Sequence, residues 1–229
     1  MATRYYCFNI TPGLVVDAQL DNVAPETTLA VSPATPNGQN GWYKTRPIVT
    51  FNATDNCSGV SAIQYSTDSG QTWQLYSGPF TFNIEGITTL LYQSLDRGGN
   101  TEPVKSIVLK VDTSAPILAL TATPSVIWPV TGEMINVKID ANGSDSVSGL
   151  ASVSYVISDE YGSPLTLPVR SLTGSSANWN ETLAVEAWRD GTDLNGRVYV
   201  VTATLTDVAG NTINATVNIL VPHDLRIGP

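Results

Sequence analysis

The sequence is short of several things that chemistry needs. Its 229 residues hold one histidine, and Asp, Glu, Lys and Arg together make up only 14%. His223 stands close to the C-terminus in Val221-Pro222-His223-Asp224, so a mechanism built on an internal histidine base or a histidine-bound metal lacks its residue. There are two cysteines, Cys7 and Cys57, and no Cys-x-x-Cys spacing, which removes zinc knuckles and thioredoxin-type redox motifs. No run of 18 apolar residues offers a membrane span, and Met1-Ala2-Thr3-Arg4 lacks the basic-then-apolar start of a signal peptide. Gly-x-Ser-x-Gly, Walker and dinucleotide fingerprints are absent too. The adjacent Asp159 and Glu160 would point to opposite faces of a strand, unlike the facing carboxylates of a glycosidase. These absences argue against an enzyme.

What the sequence does hold is 42% apolar residues, 18 Gly, 14 Pro and an abundance of Ser, Thr and Asn, the profile of a secreted β-rich protein. Eleven basic against 20 acidic residues leave a net charge of −9, which repels nucleic acid and anionic lipid and favours cations such as Ca²⁺. Cys7 and Cys57 lie 50 residues apart. They either close a disulfide, worth about 4 kcal/mol in the chain-entropy model, or remain two thiols. Six Asn-x-Ser/Thr sequons, starting at Asn9, Asn52, Asn56, Asn142, Asn180 and Asn214, are what this composition produces and are not taken as glycosylation sites.

Three motif pairs recur in the same order. Asp21-Asn22-Val23-Ala24-Pro25 returns as Asp112-Thr113-Ser114-Ala115-Pro116, and Asp55-Asn56-Cys57-Ser58-Gly59-Val60 as Asp145-Ser146-Val147-Ser148-Gly149-Leu150. Asp96-Arg97-Gly98-Gly99-Asn100-Thr101 returns as Asp207-Val208-Ala209-Gly210-Asn211-Thr212. The separations are 91, 90 and 111 positions, which implies two homologous domains with an insertion between the second and third motifs of the second copy. The organisation read from this is domain 1 over 21–112, domain 2 over 113–222 with its insertion around 161–195, and a tail at 223–229. Leu14-Val15-Val16-Asp17 leads into Asp21 much as Ile107–Val111 leads into Asp112. Residues 1–20 therefore read as the last strand of a preceding repeat, and the chain as part of a longer secreted array. Proline at each junction stiffens the linker.

Within each copy, short β-branched and aromatic runs alternate with Gly, Pro, Asn and Asp, which predicts two tandem immunoglobulin-like β-sandwiches with almost no helix. In the first copy strands are expected at 27–31, 48–53, 62–66, 73–76, 80–84, 87–95 and 104–111. In the second they are expected at 118–123, 134–140, 152–158, 165–169, 179–185, 198–206 and 212–221. In Ile48–Ala53 the alternation sends Val49, Phe51 and Ala53 to the core. Trp73, alternating with Leu75, is expected to face inward, and Thr67–Gln71 to form a hairpin turn.

Five stretches of the first copy resemble the bacterial Ig-like repeats of the OmpL47 type: Asn37–Tyr43, Ala53–Val60, Gln64–Asp68, Tyr76–Phe80 and Asp96–Asn100. The second copy is similar to bacterial Ig-like modules more loosely, lacking the Asn-Gly-x-Asn-Gly-Trp-Tyr and Tyr-x-Gly-Pro-Phe elements. The resemblance implies a non-catalytic spacer or adhesion module of a bacterial surface or secreted protein. The alternative is a carbohydrate-binding accessory domain of a secreted glycoside hydrolase, and the expected partners are neighbouring domains of a longer chain and a glycan or cell-surface protein.

In such a sandwich the N-terminal lead-in, the loop after the second strand and the loop before the last strand share one end. That gathers Asp21, Asp55, Asp96 and Asn100 at one pole of the first domain, and Asp112, Asp145, Asp207 and Asn211 at the matching pole of the second. Two readings stay open: a Ca²⁺ site assembled from carboxylates and loop carbonyls, or Asp and Asn side chains that simply close their own turns. For a sugar-stacking platform, Trp42 with Tyr43 in the Gly-rich loop, and Trp188, are the aromatic candidates.

Overall fold

A computed structural model describes residues 4–11, 15–162 and 164–224, and Leu14 and the tail beyond Asp224 lie outside them. The structure is all-β, and the chain divides into two compact units, Met1–Thr113 and Ser114–Pro229. No helix among the described residues is long and apolar enough to cross a membrane.

The first unit opens with an antiparallel hairpin of β1 (Tyr6–Thr11) and β2 (Val15–Leu20). Its sandwich then takes β3 (Glu26–Ser32), β4 (Ile48–Thr54), β5 (Val60–Ser66), β6 (Gln74–Leu75), β7 (Phe80–Thr81), β8 (Gly86–Asp96) and β9 (Lys105–Val111). One sheet has the order β3-β4-β7 and the other β6-β5-β8-β9. Val49 and Phe51 of β4 turn inward against Leu90 and Tyr92 of β8 and Leu109 and Val111 of β9. Thr50 and Asn52 turn away, as a period of two requires. The Phe51 ring meets Tyr92 at 5.0 Å and Tyr76 at 5.1 Å, an aromatic cluster that joins the two sheets. Trp73 departs from its expected place. Only Gln74 and Leu75 form a strand there, Leu75 is exposed, Trp73 is half-buried, and Tyr76 supplies the core ring instead.

The second unit repeats the plan with β10 (Ile117–Thr123), β11 (Met134–Ser144), β12 (Leu150–Ser158), β13 (Leu165–Thr166), β14 (Arg170–Ser171), β15 (Ser176–Glu186), β16 (Arg197–Asp207) and β17 (Thr212–Val221). Its sheets run β10-β11-β15 and β13-β12-β16-β17, with β14 also on β12. Position for position this is the first unit's order, and β15 stands where β7 stood. The residues between 161 and 195 therefore lengthen one strand from two residues to eleven rather than add a layer. Trp179 on β15 fills the wider core and donates from Nε1 to the Tyr155 hydroxyl on β12 at 2.7 Å, so the one polar atom of the buried indole is satisfied. Gly143 makes room for it: a Cβ there would lie 2.9 Å from Leu205 and 3.0 Å from Trp179. In both units the strand after the second motif slips register by one residue at its start, between Val60 and Ala62 and between Leu150 and Ser152. The slip starts each of these strands beside the loops of its pole.

Candidate functional site

The loops after β4 and before β9 meet the lead-in to β3. Asp55 closes its own loop, Oδ1 accepting from the amides of Cys57 (3.0 Å) and Gly59 (2.7 Å). Gly59 holds φ +81°, a backbone state that a side chain disfavours. Asp96 does the same for its loop, taking the Asn100 amide on Oδ1 at 2.8 Å and Asn100 Nδ2 on Oδ2 at 2.7 Å. Three bonds then tie the loops together: Ser58 N to Asp21 Oδ2 (3.0 Å), Gly98 N to Ser58 Oγ (3.0 Å) and Asn100 Nδ2 to Asp21 O (3.3 Å). Hydrogen bonding to Ser58 above all, with help from the Val23 amide, outweighs burial and holds the Asp21 carboxyl below its ordinary range.

Asp21, Asp55 and Asp96 each bring a carboxylate oxygen within 4.8 Å of the others. Among the described residues no Lys, Arg or His forms an ion pair with any of the three. Asp55 Oδ2 is buried without a hydrogen-bond partner. Amide dipoles thus meet part of the negative charge, and a divalent cation would suit the rest, since Ca²⁺ takes carboxylate and carbonyl oxygens. The sulfurs of Cys7 and Cys57, close by, are not ligands. They form a disulfide with Cα atoms 5.3 Å apart, tying the β1–β2 hairpin to the Asp55 loop.

Just beyond this cluster, buried Glu102 continues the clamp on the lead-in. It accepts from Thr27 N (3.1 Å), Ser94 N (2.8 Å) and Ser94 Oγ (2.9 Å) and pairs with Lys105 at 3.0 Å. Lys105 in turn reaches Thr27 O at 2.7 Å. Burial would raise this carboxyl, but hydrogen bonds from Thr27, Lys105 and Ser94 outweigh it and keep the group below its usual value. Glu102 and Lys105 follow the third motif closely, but nothing in their spacing marks the glutamate as buried.

The second unit reproduces the loop chemistry atom for atom. Asp145 Oδ1 accepts from Val147 N (3.1 Å) and Gly149 N (2.7 Å), and Asp207 takes Asn211 N and Nδ2, both at 2.8 Å. Ser148 Oγ accepts from Ala209 N at 3.2 Å, as Ser58 does from Gly98. Asp145 and Asp207 offer oxygens within 4.8 Å of each other. Asp112, the counterpart of Asp21 in the repeat, is fully buried, and its amide donates to Tyr43 O at 2.9 Å.

Two of the three aromatic candidates belong to the interior. Residue 43 forms a parallel bridge to Val111, with Tyr43 N donating to Lys110 O at 2.8 Å, and this stitching inserts the Tyr43 ring into the core. Trp42 and Tyr43 are each 5% exposed, so neither offers a stacking surface. Trp188 is exposed, and it stands among residues that sequence reasoning passed over, Tyr161, Arg197 and Tyr199. Asp159 and Glu160 also differ from expectation. They lie past the end of β12 rather than in a strand, and both turn to the start of β16, Asp159 to Arg197 and Glu160 to Val198 N.

The sequence matches no family model and no curated protein, so the OmpL47-type likeness rests on its motifs alone. Among solved structures, the D00-D0 domain of intimin aligns over 84% of this chain and 100% of that one, at 13% identity and a TM-score of 0.34. That likeness is too slight to carry an argument about role.

Proposed function

We propose that this chain is a non-catalytic extracellular spacer or adhesion module of a bacterial surface or secreted multidomain protein, with Ca²⁺ held at its acidic pole. The observation that carries this reading is a set of hydrogen bonds converging on one segment. Ser58, Asn100, Glu102 and Lys105 all bond to residues 21–27, the segment by which the chain enters a sandwich. A clamp on the lead-in, rather than polar groups converging on a cavity, is what a stiff connection between successive modules calls for. The disulfide supports an oxidising compartment outside the cytosol. Three close carboxylates without a cationic partner among the described residues support the Ca²⁺ assignment.

Protein stripped with a chelator and then titrated with Ca²⁺ tests the reading. The expected result is a saturable rise in the melting temperature of the first unit and slower proteolysis near residues 21–27, both abolished by Asp55→Asn. A melting temperature indifferent to millimolar Ca²⁺ would remove the ion from the account. Free proteolysis at the lead-in, with or without Ca²⁺, would remove the spacer.

A further inference from the structure

At the end of the second unit remote from Asp145 and Asp207, three aromatic rings converge on one guanidinium. Arg197 Cζ lies 4.5 Å from the centroid of Tyr199, 5.0 Å from Tyr161 and 5.8 Å from Trp188. Its nitrogens are engaged by Asp159 at 2.6 and 2.7 Å, by Glu186 at 3.2 Å and by Trp188 O at 3.2 Å. Tyr161 and Trp188 meet edge to face with centroids 5.8 Å apart, and the Tyr161 hydroxyl donates to Asp193. The Tyr161 ring is thus held by its hydroxyl bond, and the Trp188 ring by its contacts with Tyr161 and the Arg197 guanidinium. Even so, Trp188 remains 42% exposed and Tyr161 38%.

We infer that the exposed surfaces of Trp188 and Tyr161 form a binding platform for a neutral oligosaccharide. Both residues sit in the stretch that the first unit lacks, and that unit builds the same sheet order without it, so the fold alone does not call for two large rings in solvent. The central position among the rings, where a cationic ligand would sit, is already filled by Arg197. Asp159, Glu160, Glu186, Asp190 and Asp193 outnumber Arg189 and Arg197 here, which disfavours acidic glycans. A pyranose presents a flat, C–H-rich face to an aromatic ring and hydroxyl donors around its rim. Asp190 uses Oδ1 on Thr192 and Glu160 uses Oε1 on Val198, so each keeps a second oxygen to accept from those hydroxyls. Rings held in this way lose little freedom on binding, which favours affinity. The inference stands apart from the spacer reading, since it concerns the other end of a different unit.

The test is calorimetric titration of the whole chain with a panel of neutral hexaoses of glucose, xylose, mannose and N-acetylglucosamine, together with nitrogen-edited NMR of the five indole N–H groups. The expected result is saturable binding of at least one sugar that shifts the Trp188 indole. Affinity should fall at least about tenfold in Trp188→Ala and stay unchanged in Trp128→Ala, another exposed tryptophan outside the cluster. No binding of any hexaose at millimolar concentration would overturn the inference. Binding that leaves the Trp188 indole unmoved, or that survives Trp188→Ala, would overturn it equally.

Discussion

The two units share a strand order and one set of loop bonds, and they differ mainly in a single strand, two residues of β7 against eleven of β15. What they share is the way the acidic loops close on themselves, and what distinguishes them is the disulfide-tied hairpin at the first unit's pole and, in the second unit, β15 and its far end. The pole chemistry depends on local geometry, an Asp that caps its own loop and a glycine at positive φ, so it survives a change in sandwich width. The longer β15 widens the core and lets Trp179 enter, but it also creates a long sheet edge. That edge is partly covered. Arg170 reaches Asn180 O at 3.3 Å and pairs with Glu181 at 2.6 Å, while the Tyr199 hydroxyl takes Glu186 N and meets Glu186 O.

The largest expected contrast concerns the disulfide, which belongs to the first unit alone. Cys57→Ser should cost that unit up to about 4 kcal/mol by the chain-entropy argument and leave the second untouched, which calorimetry with two resolved transitions would register. A loss shared equally would break the comparison. Next, Gly143→Ala should destabilise only the second unit, by about 1–3 kcal/mol, because the new methyl meets Leu205 and Trp179. A finer contrast pits Gly59→Ala against Gly149→Ala. Both glycines have similar positive φ, and that strain is worth about 1–2 kcal/mol. Gly149→Ala should cost more, since its Cβ would lie 3.1 Å from the Gly174 carbonyl oxygen, whereas at Gly59 the nearest atom is the end of Arg97 at 3.9 Å. Equal losses in denaturant melts would show that the loops relax alike.

The smallest effect is acid sensitivity. Hydrogen bonds from Thr72, then Ser66, pull the Asp68 carboxyl from 3.8 down to about 2, and Asp21 and Glu102 are lowered as well. A carboxyl lowered in the folded state adds stability above its unfolded pKa and gives it up as pH falls through the folded one. The first unit should thus hold its melting temperature above pH of about 4 and lose it progressively toward about 2. Asp68→Asn should flatten that fall, and an unchanged profile would contradict the bonding seen at the 66–72 turn.

Much of this was legible because its causes are local. Alternation in Ile48–Ala53 turned Val49 and Phe51 inward, and the recurrence of Asp55 as Asp145 and Asp96 as Asp207 marked the loops that close on themselves. The disulfide was one of two open readings, since spacing alone does not bring β1 to the Asp55 loop. Other features depend on distant partners and were hidden. Tyr43 reads as part of an exposed Gly-rich loop because its burial comes with a parallel bridge to Val111, far along the chain. Trp73 and Leu75 misled because alternation assumes a strand that ends there after two residues. The Arg197 cluster draws on residues from 159 to 199, and no single stretch carries its pattern.

The central claim is that the lead-in and the acidic loops form one cooperative body with the first unit's core. Native-state hydrogen exchange at Ser58, Gly59, Gly98 and Asn100 measures it directly. The account predicts opening free energies for these amides equal to those of Leu90 and Leu109 in the core strands, and exchange at loop-like rates would contradict it.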